Sequence, residues 1–107
     1  MAEKQKTYDL DGNVYHLHYT IGRLEQIEQL TGCSVASIVM DALQKKMPSI
    51  SLLVQLFAYG MFDDSGAYAP PKKAAEFAGK ELENIGYSEL FLAVFEQLQE
   101  DCGFLFR

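Results

Sequence analysis

The sequence predicts an α+β fold dominated by helix, with an N-terminal two-stranded β-hairpin packed on about five helices. Three observations predict it. Tyr8, Leu10, Tyr15, Leu17 and Tyr19 alternate with polar residues around a Gly12-Asn13 pair. That is the period of half-buried strands on either side of a tight turn. From Thr20 onward the apolar residues recur at helical spacing instead. Glycines, prolines and capping serines then cut the remaining chain into lengths that suit single helices.

The hairpin is placed at about 6–19. Turning at Gly12-Asn13 pairs Leu10 with Tyr15, Tyr8 with Leu17, Asp9 with His16 and Thr7 with His18. All the apolar side chains then share one face. A turn one residue earlier pairs Leu10 with Asn13 and Lys6 with Leu17, which mixes the faces, so the first register is preferred. In that register His16 and His18 lie on the wet face, opposite Asp9 and Thr7, as an ordinary cross-strand polar pairing. These two histidines with Asp9 are the chain's candidates for a metal or catalytic site. A metal needs a third or fourth ligand converging on the same face, and no other residue has suitable spacing. The structural reading of the histidines is therefore favoured.

Helices follow at about 21–31, 35–46, 50–62, 71–84 and 89–102. Thr20 caps the first, with Tyr19 and Leu24 at hydrophobic-staple spacing. Leu24, Ile27 and Leu30 form its apolar stripe, Glu25 and Glu28 lie on its solvated face, and Gly32 ends it. Ser34 caps the second, whose buried face is Val35, Ile38, Val39, Ala42 and Leu43. Cys33 repeats the staple with Ile38, and Lys45 and Lys46 are placed in the last turn, where positive charge suits the helix dipole. Met47-Pro48-Ser49 opens the third. Ile50, Leu53, Val54, Phe57 and Met61 fill one face of it, and Leu52, Leu56 and Tyr59 occupy much of the opposite face.

A helix apolar nearly all round is either central in its domain or shared with a partner, and both readings stay open. Ile50, Leu53, Val54 and Phe57 are assigned to the core. Leu52, Leu56 and Tyr59 are the candidate protein-interaction residues, with Phe104, Leu105 and Phe106 of the apolar "GFLFR" segment as a second candidate.

"DDSGAYAPP" is a loop, in which Asp63 and Asp64 read as turn acids rather than ligands. Pro71 opens the fourth helix, with Ala74, Ala75, Phe77, Ala78, Leu82 and Ile85 on its apolar side, and Gly86 stops it. Ser88 is expected to cap the last helix, whose stripe is Phe91, Val94, Phe95, Leu98 and Cys102.

Composition bounds the function. The chain has 107 residues, 49% of them hydrophobic, and a net charge of -6, which fits one globular domain, 1–107. Its basic residues are scattered among acids, which argues against nucleic acid as a main partner. No apolar run approaches the roughly 18 to 20 residues of a membrane span. "MAEKQKTYD" lacks the apolar stretch of a signal peptide, so a cytoplasmic location is expected. Cys33 and Cys102 match no ligand spacing and read as reduced thiols. There is no phosphate-binding glycine loop, and a Cys–His nucleophile pair would lack an orienting group. No catalytic residue, metal or cofactor is expected.

The order of these signals is more specific than any one of them. "DGNVYHLHYT" runs into "IGRLEQIEQLTGCSVASIV"; then come "PSISLLVQLFAYGMF", an acidic loop and "IGYSELFLAVFEQL". This order resembles the small tail assembly chaperones of long-tailed bacteriophages and prophages, over nearly the whole chain. Gly12, Tyr15, Leu17, Leu24, Glu28, Thr31 and Gly32 match the start of the family pattern. Leu53, Leu56, Tyr59 and Gly60 match its later helix; the "GFLFR" ending departs from it.

The resemblance implies a non-enzymatic protein of the bacterial host cytoplasm. It would bind the tape measure protein, help recruit tail tube protein and be absent from the mature virion. It also implies the short form, or the N-terminal domain, of a pair related by frameshifting. Self-association is expected of the over-apolar helix, and neither nucleic acid nor membrane is expected as a partner. The alternatives are a minor structural tail protein and, further off, a small metal-binding enzyme or sensor using His16, His18 and Asp9.

Overall fold

The computed structural model describes residues 6–107. The leading MAEKQ, part of the stretch that lacks a signal-peptide pattern, lies outside the described residues. The fold is α+β and mostly helical, with a small antiparallel sheet and five α-helices. In chain order the elements are β1 (Tyr8–Leu10), β2 (Asn13–Leu17), α1 (Ile21–Thr31), α2 (Val35–Leu43), α3 (Ile50–Gly60), β3 (Met61–Asp63), α4 (Pro71–Ile85) and α5 (Tyr87–Asp101), followed by a 3-10 turn at Gly103–Phe106.

The hairpin turns one residue earlier than the preferred register. Its pairs are Tyr8 with Tyr15, Asp9 with Val14 and Leu10 with Asn13. Asp11 and Gly12 occupy the turn with φ of 53° and 83°. This two-residue geometry matches the right-handed twist of the strands. The Asp9 carboxylate accepts the Gly12 N–H at 3.1 Å, and Lys73 Nζ on α4 reaches Asp11 Oδ2 at 2.8 Å. The inward face nonetheless holds Tyr8, Tyr15 and Leu17, as predicted. Moving a pairing by two residues preserves the alternation of faces.

Two pairings weigh against this register in the sequence: Leu10 with Asn13, which the sheet contains with Leu10 half-buried, and Lys6 with Leu17. A third strand, not expected from the sequence, answers the second. β2 is central, in the order β1-β2-β3, and Leu17 faces Met61 of β3. Both side chains are buried. The helix expected to run to Phe62 stops at Gly60, and Met61 and Phe62 join Asp63, expected in the loop, to form β3. After β3 the chain turns at Asp63–Ala67 and doubles back, bridging Phe62 with Tyr68.

Of the expected caps, Thr20 and Ser34 form, and Ser49, which the sequence marks only as part of a helix opening, is a third. Thr20, Ser34 and Ser49 each accept an N–H from the first turn of the following helix. Ser88 does not cap α5: that helix starts at Tyr87, and Gly86, with φ of 90°, is the hinge that both ends α4 and precedes α5. α2 ends at Leu43, so Lys45 and Lys46 lie beyond its last turn.

α3 packs against α1, α4, α5 and the sheet, which makes it the centre of the domain. Leu53, Leu56, Phe57 and Ala58 on α3 are buried together with Ile27, Val39, Leu90, Val94 and Leu98. Ile50, assigned above to the core, is 62% exposed. It begins the helix and stands before the point where neighbouring helices close over α3. Leu30 and Leu43, in the last turns of α1 and α2, are exposed as well.

Candidate protein-interaction surface

The first predicted interaction set does not form an open face. Leu56 is 2% exposed, and its carbonyl accepts the Tyr19 hydroxyl at 2.7 Å. It is a core residue and cannot meet a partner without unfolding. Leu52 and Tyr59 are half-buried against the core. The Tyr59 carbonyl accepts Arg23 Nε at 2.7 Å, and its ring lies 5.5 Å from the guanidinium. The second face of α3 is apolar because α3 is the central helix and must meet neighbours on several sides. An open hollow of about 260 Å³ remains beside it, lined by Gln55, Ala58, Tyr59, Pro71, Lys72 and Ala75.

The second set fares differently. Cys102 closes α5, and the following 3-10 turn folds the segment back on the helix. Phe106 packs edge-on against Phe95 with centroids 5.4 Å apart, and Leu105 is half-buried. Phe104 points away and is 47% exposed.

Phe106 thereby extends a row that the sequence reading misassigned. The stripe of α5 at the centre of the core is Leu90, Val94 and Leu98. Tyr87, Phe91 and Phe95 form a second stripe beside it and remain half-buried. Their rings stack in sequence, Tyr87 on Phe91 at 6.4 Å and Phe91 on Phe95 at 4.6 Å. The Tyr87 hydroxyl donates to the Pro48 carbonyl, which anchors one end of the row. On either side of Pro48, Met47 and Ile50 are exposed. The i, i+4, i+8 spacing of three aromatics was the available signal. Phe91 and Phe95 were instead placed in the core stripe, without Tyr87, because apolar residues one position apart on a helix cannot be ranked by periodicity alone.

The histidines occupy the sheet face turned away from the core. His16 is opposite Phe62, not Asp9. Phe62 lies 5.9 Å from His16 and 4.8 Å from His18, and Tyr68 continues the cluster at 4.8 Å from Phe62. His16 Nδ1 stands 4.0 Å from Asp64, and His18 Nδ1 stands 3.6 Å from Asp101. Asp101 already accepts the Tyr19 N–H and Gln97 Nε2. Asp9 stands opposite Val14 instead, and its carboxylate accepts the Gly12 N–H of its own turn. Among the described residues no group of three or more His, Cys, Asp or Glu is arranged to hold a metal.

Arg23 is a further polar centre that the sequence reading missed. Its guanidinium lies 3.9 Å over the Tyr68 ring, and burial lowers its pKa. It ties α1 to the end of α3 and to the loop after β3. Cys33 and Cys102 are both free. Burial pushes the Cys102 thiol up, the opposite of what a thiolate nucleophile needs. Asp63 Oδ1 is held below the usual carboxylate range, first by the Ala67 N–H and then by the Ser65 hydroxyl. That carboxylate is occupied in shaping its own loop.

Among the described residues no helix is long and apolar enough to cross a membrane. Compared with protein-family models, curated proteins and solved structures, the chain finds no match in any of the three.

Proposed function

We propose that the chain is a non-enzymatic tail assembly chaperone of a long-tailed phage or prophage. It holds hydrophobic helices of the tape measure protein in solution in the host cytoplasm and brings tail tube subunits to them. The resemblance of its signal order to that family supplies the identity of the client. The observation that carries the reading is the half-exposed aromatic row Tyr87-Phe91-Phe95 with the Phe104–Phe106 turn beside it. Such a surface suits covering another protein's apolar helix. A net charge of -6 keeps the resulting complex dispersed.

The test is co-expression with a tape measure protein of a long-tailed phage. The expected result is a soluble complex that is lost when the chain is omitted, with the chain absent from purified virions by mass spectrometry. A tape measure protein equally soluble alone overturns the proposal. Stoichiometric presence of the chain in virions replaces it with a minor structural tail protein.

A further inference from the structure

We infer that the aromatic row of α5 seats a single amphipathic helix whose polar edge is basic, and that the carboxylates of α5 recognise that edge. The inference rests on the chaperone reading only in taking the occupant to be a client's helix. Tyr87, Phe91 and Phe95 rise along α5 over roughly 12 Å, two turns of helix. The Pro48 carbonyl fixes Tyr87 at one end, and Phe106 abuts Phe95 at the other. The rings are thus held in place before binding, so little side-chain freedom is lost when a partner covers them.

Beside the row lies Leu92, 44% exposed. Beyond it, roughly 100 to 140° round the helix from Phe95, lie the exposed Glu89, Glu96 and Glu100. None of these three carboxylates pairs with a cation of the described residues. Between Lys80 and Arg107 the sequence holds six carboxylates and no basic residue.

An apolar row bordered on its outer side by unpaired acids complements a helix with Lys or Arg next to its apolar stripe. A helix fits better than a strand, because side chains at i, i+4 and i+8 form a ridge that seats in the groove of another helix. A second copy of this chain fits poorly. A two-fold contact through the row would bring two acidic strips together in a pair of chains of net charge -6 each.

The test uses the purified chain and two synthetic amphipathic helical peptides with the same leucine stripe, one edged with lysine and one with glutamate. Calorimetric titration should show the lysine-edged peptide binding at least about tenfold more tightly, with the preference shrinking as salt rises. The double variant Glu89→Lys, Glu96→Lys should invert the preference, and Leu92→Asp should weaken the lysine-edged peptide, both with unchanged far-UV circular dichroism. Binding of neither peptide, equal binding of both, or binding indifferent to these surface variants overturns the inference. So does sedimentation of a dimer that Leu92→Asp dissolves, since the occupant is then a second copy. If the charge preference holds but the tape measure protein is not solubilised, the chaperone reading fails and the docking site stands. If solubilisation survives the double variant, the reverse is true.

Discussion

Lys45 sits in the left-handed region, with φ of 66°. Its N–H donates to the Ala42 carbonyl, and the Lys46 N–H donates to the Asp41 carbonyl. These two bonds are a Schellman ending of α2, in which the left-handed residue is ordinarily glycine. Cβ crowding makes that conformation unfavourable for lysine. Lys45→Gly should therefore raise stability by up to about 1 kcal/mol, less the entropy that glycine gains in the unfolded chain. Chemical denaturation of the two proteins measures it. Gly32, the corresponding residue after α1, was legible as a helix end because glycine announces it. Lys45 was not, since nothing in a lysine pair marks a positive φ.

At the scale of elements, α3 and the sheet carry the main lessons. The sequence shows that α3 is apolar on two faces, but not what covers the second. α1, α4 and α5 all pack on this helix, which takes Leu56 into the core and leaves Leu52 half-buried. Leu56→Asp should unfold the isolated protein, because an unpaired carboxylate in that position costs several kcal/mol. Leu52→Asp should keep the fold and cost about 1 kcal/mol or less. Thermal melts of the two variants separate these outcomes. β3 was hidden by the same apolar run. Three residues, Met61–Asp63, give too few alternations to stand out from the end of a helix. Missing β3 left Leu17 without a partner in the earlier-turn register, and so the wrong hairpin pairing was preferred.

Across the whole molecule, Tyr19 joins the parts. Its N–H donates to Asp101 at the end of α5, and its hydroxyl donates to Leu56 on α3. The ring is 1% exposed and lies against Gly60, where an added Cβ would fall inside contact distance of the ring carbons and hydroxyl. Gly60→Ala should therefore cost about 2 to 3 kcal/mol through overpacking and lower Tm by roughly 10 °C or more. Gly79→Ala on α4, where nothing lies near the new Cβ, should instead stabilise by up to about 1 kcal/mol. Gly60 was matched to the family pattern from the sequence; the reason for a glycine there is the ring of Tyr19.

Burial also raises the pKa of Tyr19 well above 10.0, and those of Tyr8, Tyr68, Tyr87 and Cys102 upward. A raised folded-state pKa leaves stability intact below the unfolded value and removes it as pH climbs through the folded one. The domain should therefore lose stability from about pH 9 upward, as Cys102 and then the tyrosines ionise more readily in the unfolded chain. Tyr19→Phe should flatten that decline by at most roughly 1.4 kcal/mol per pH unit, measured by denaturation at successive pH values.

The sequence by itself determined the helices, the caps at Thr20 and Ser34, and the inward face of the hairpin. Each follows from local periodicity or from hydrogen bonds between residues a few positions apart. Tertiary structure decided the hairpin register, the third strand, the burial of Leu56 and the half-exposure of the α5 aromatics. Each of these depends on which distant segment arrives beside the residue. Leu17 needs Met61, Leu56 needs the helices that enclose α3, and Phe95 needs Phe106. A pattern of apolar residues states that a face will be covered, and only packing determines whether the chain itself covers it or leaves it to another molecule.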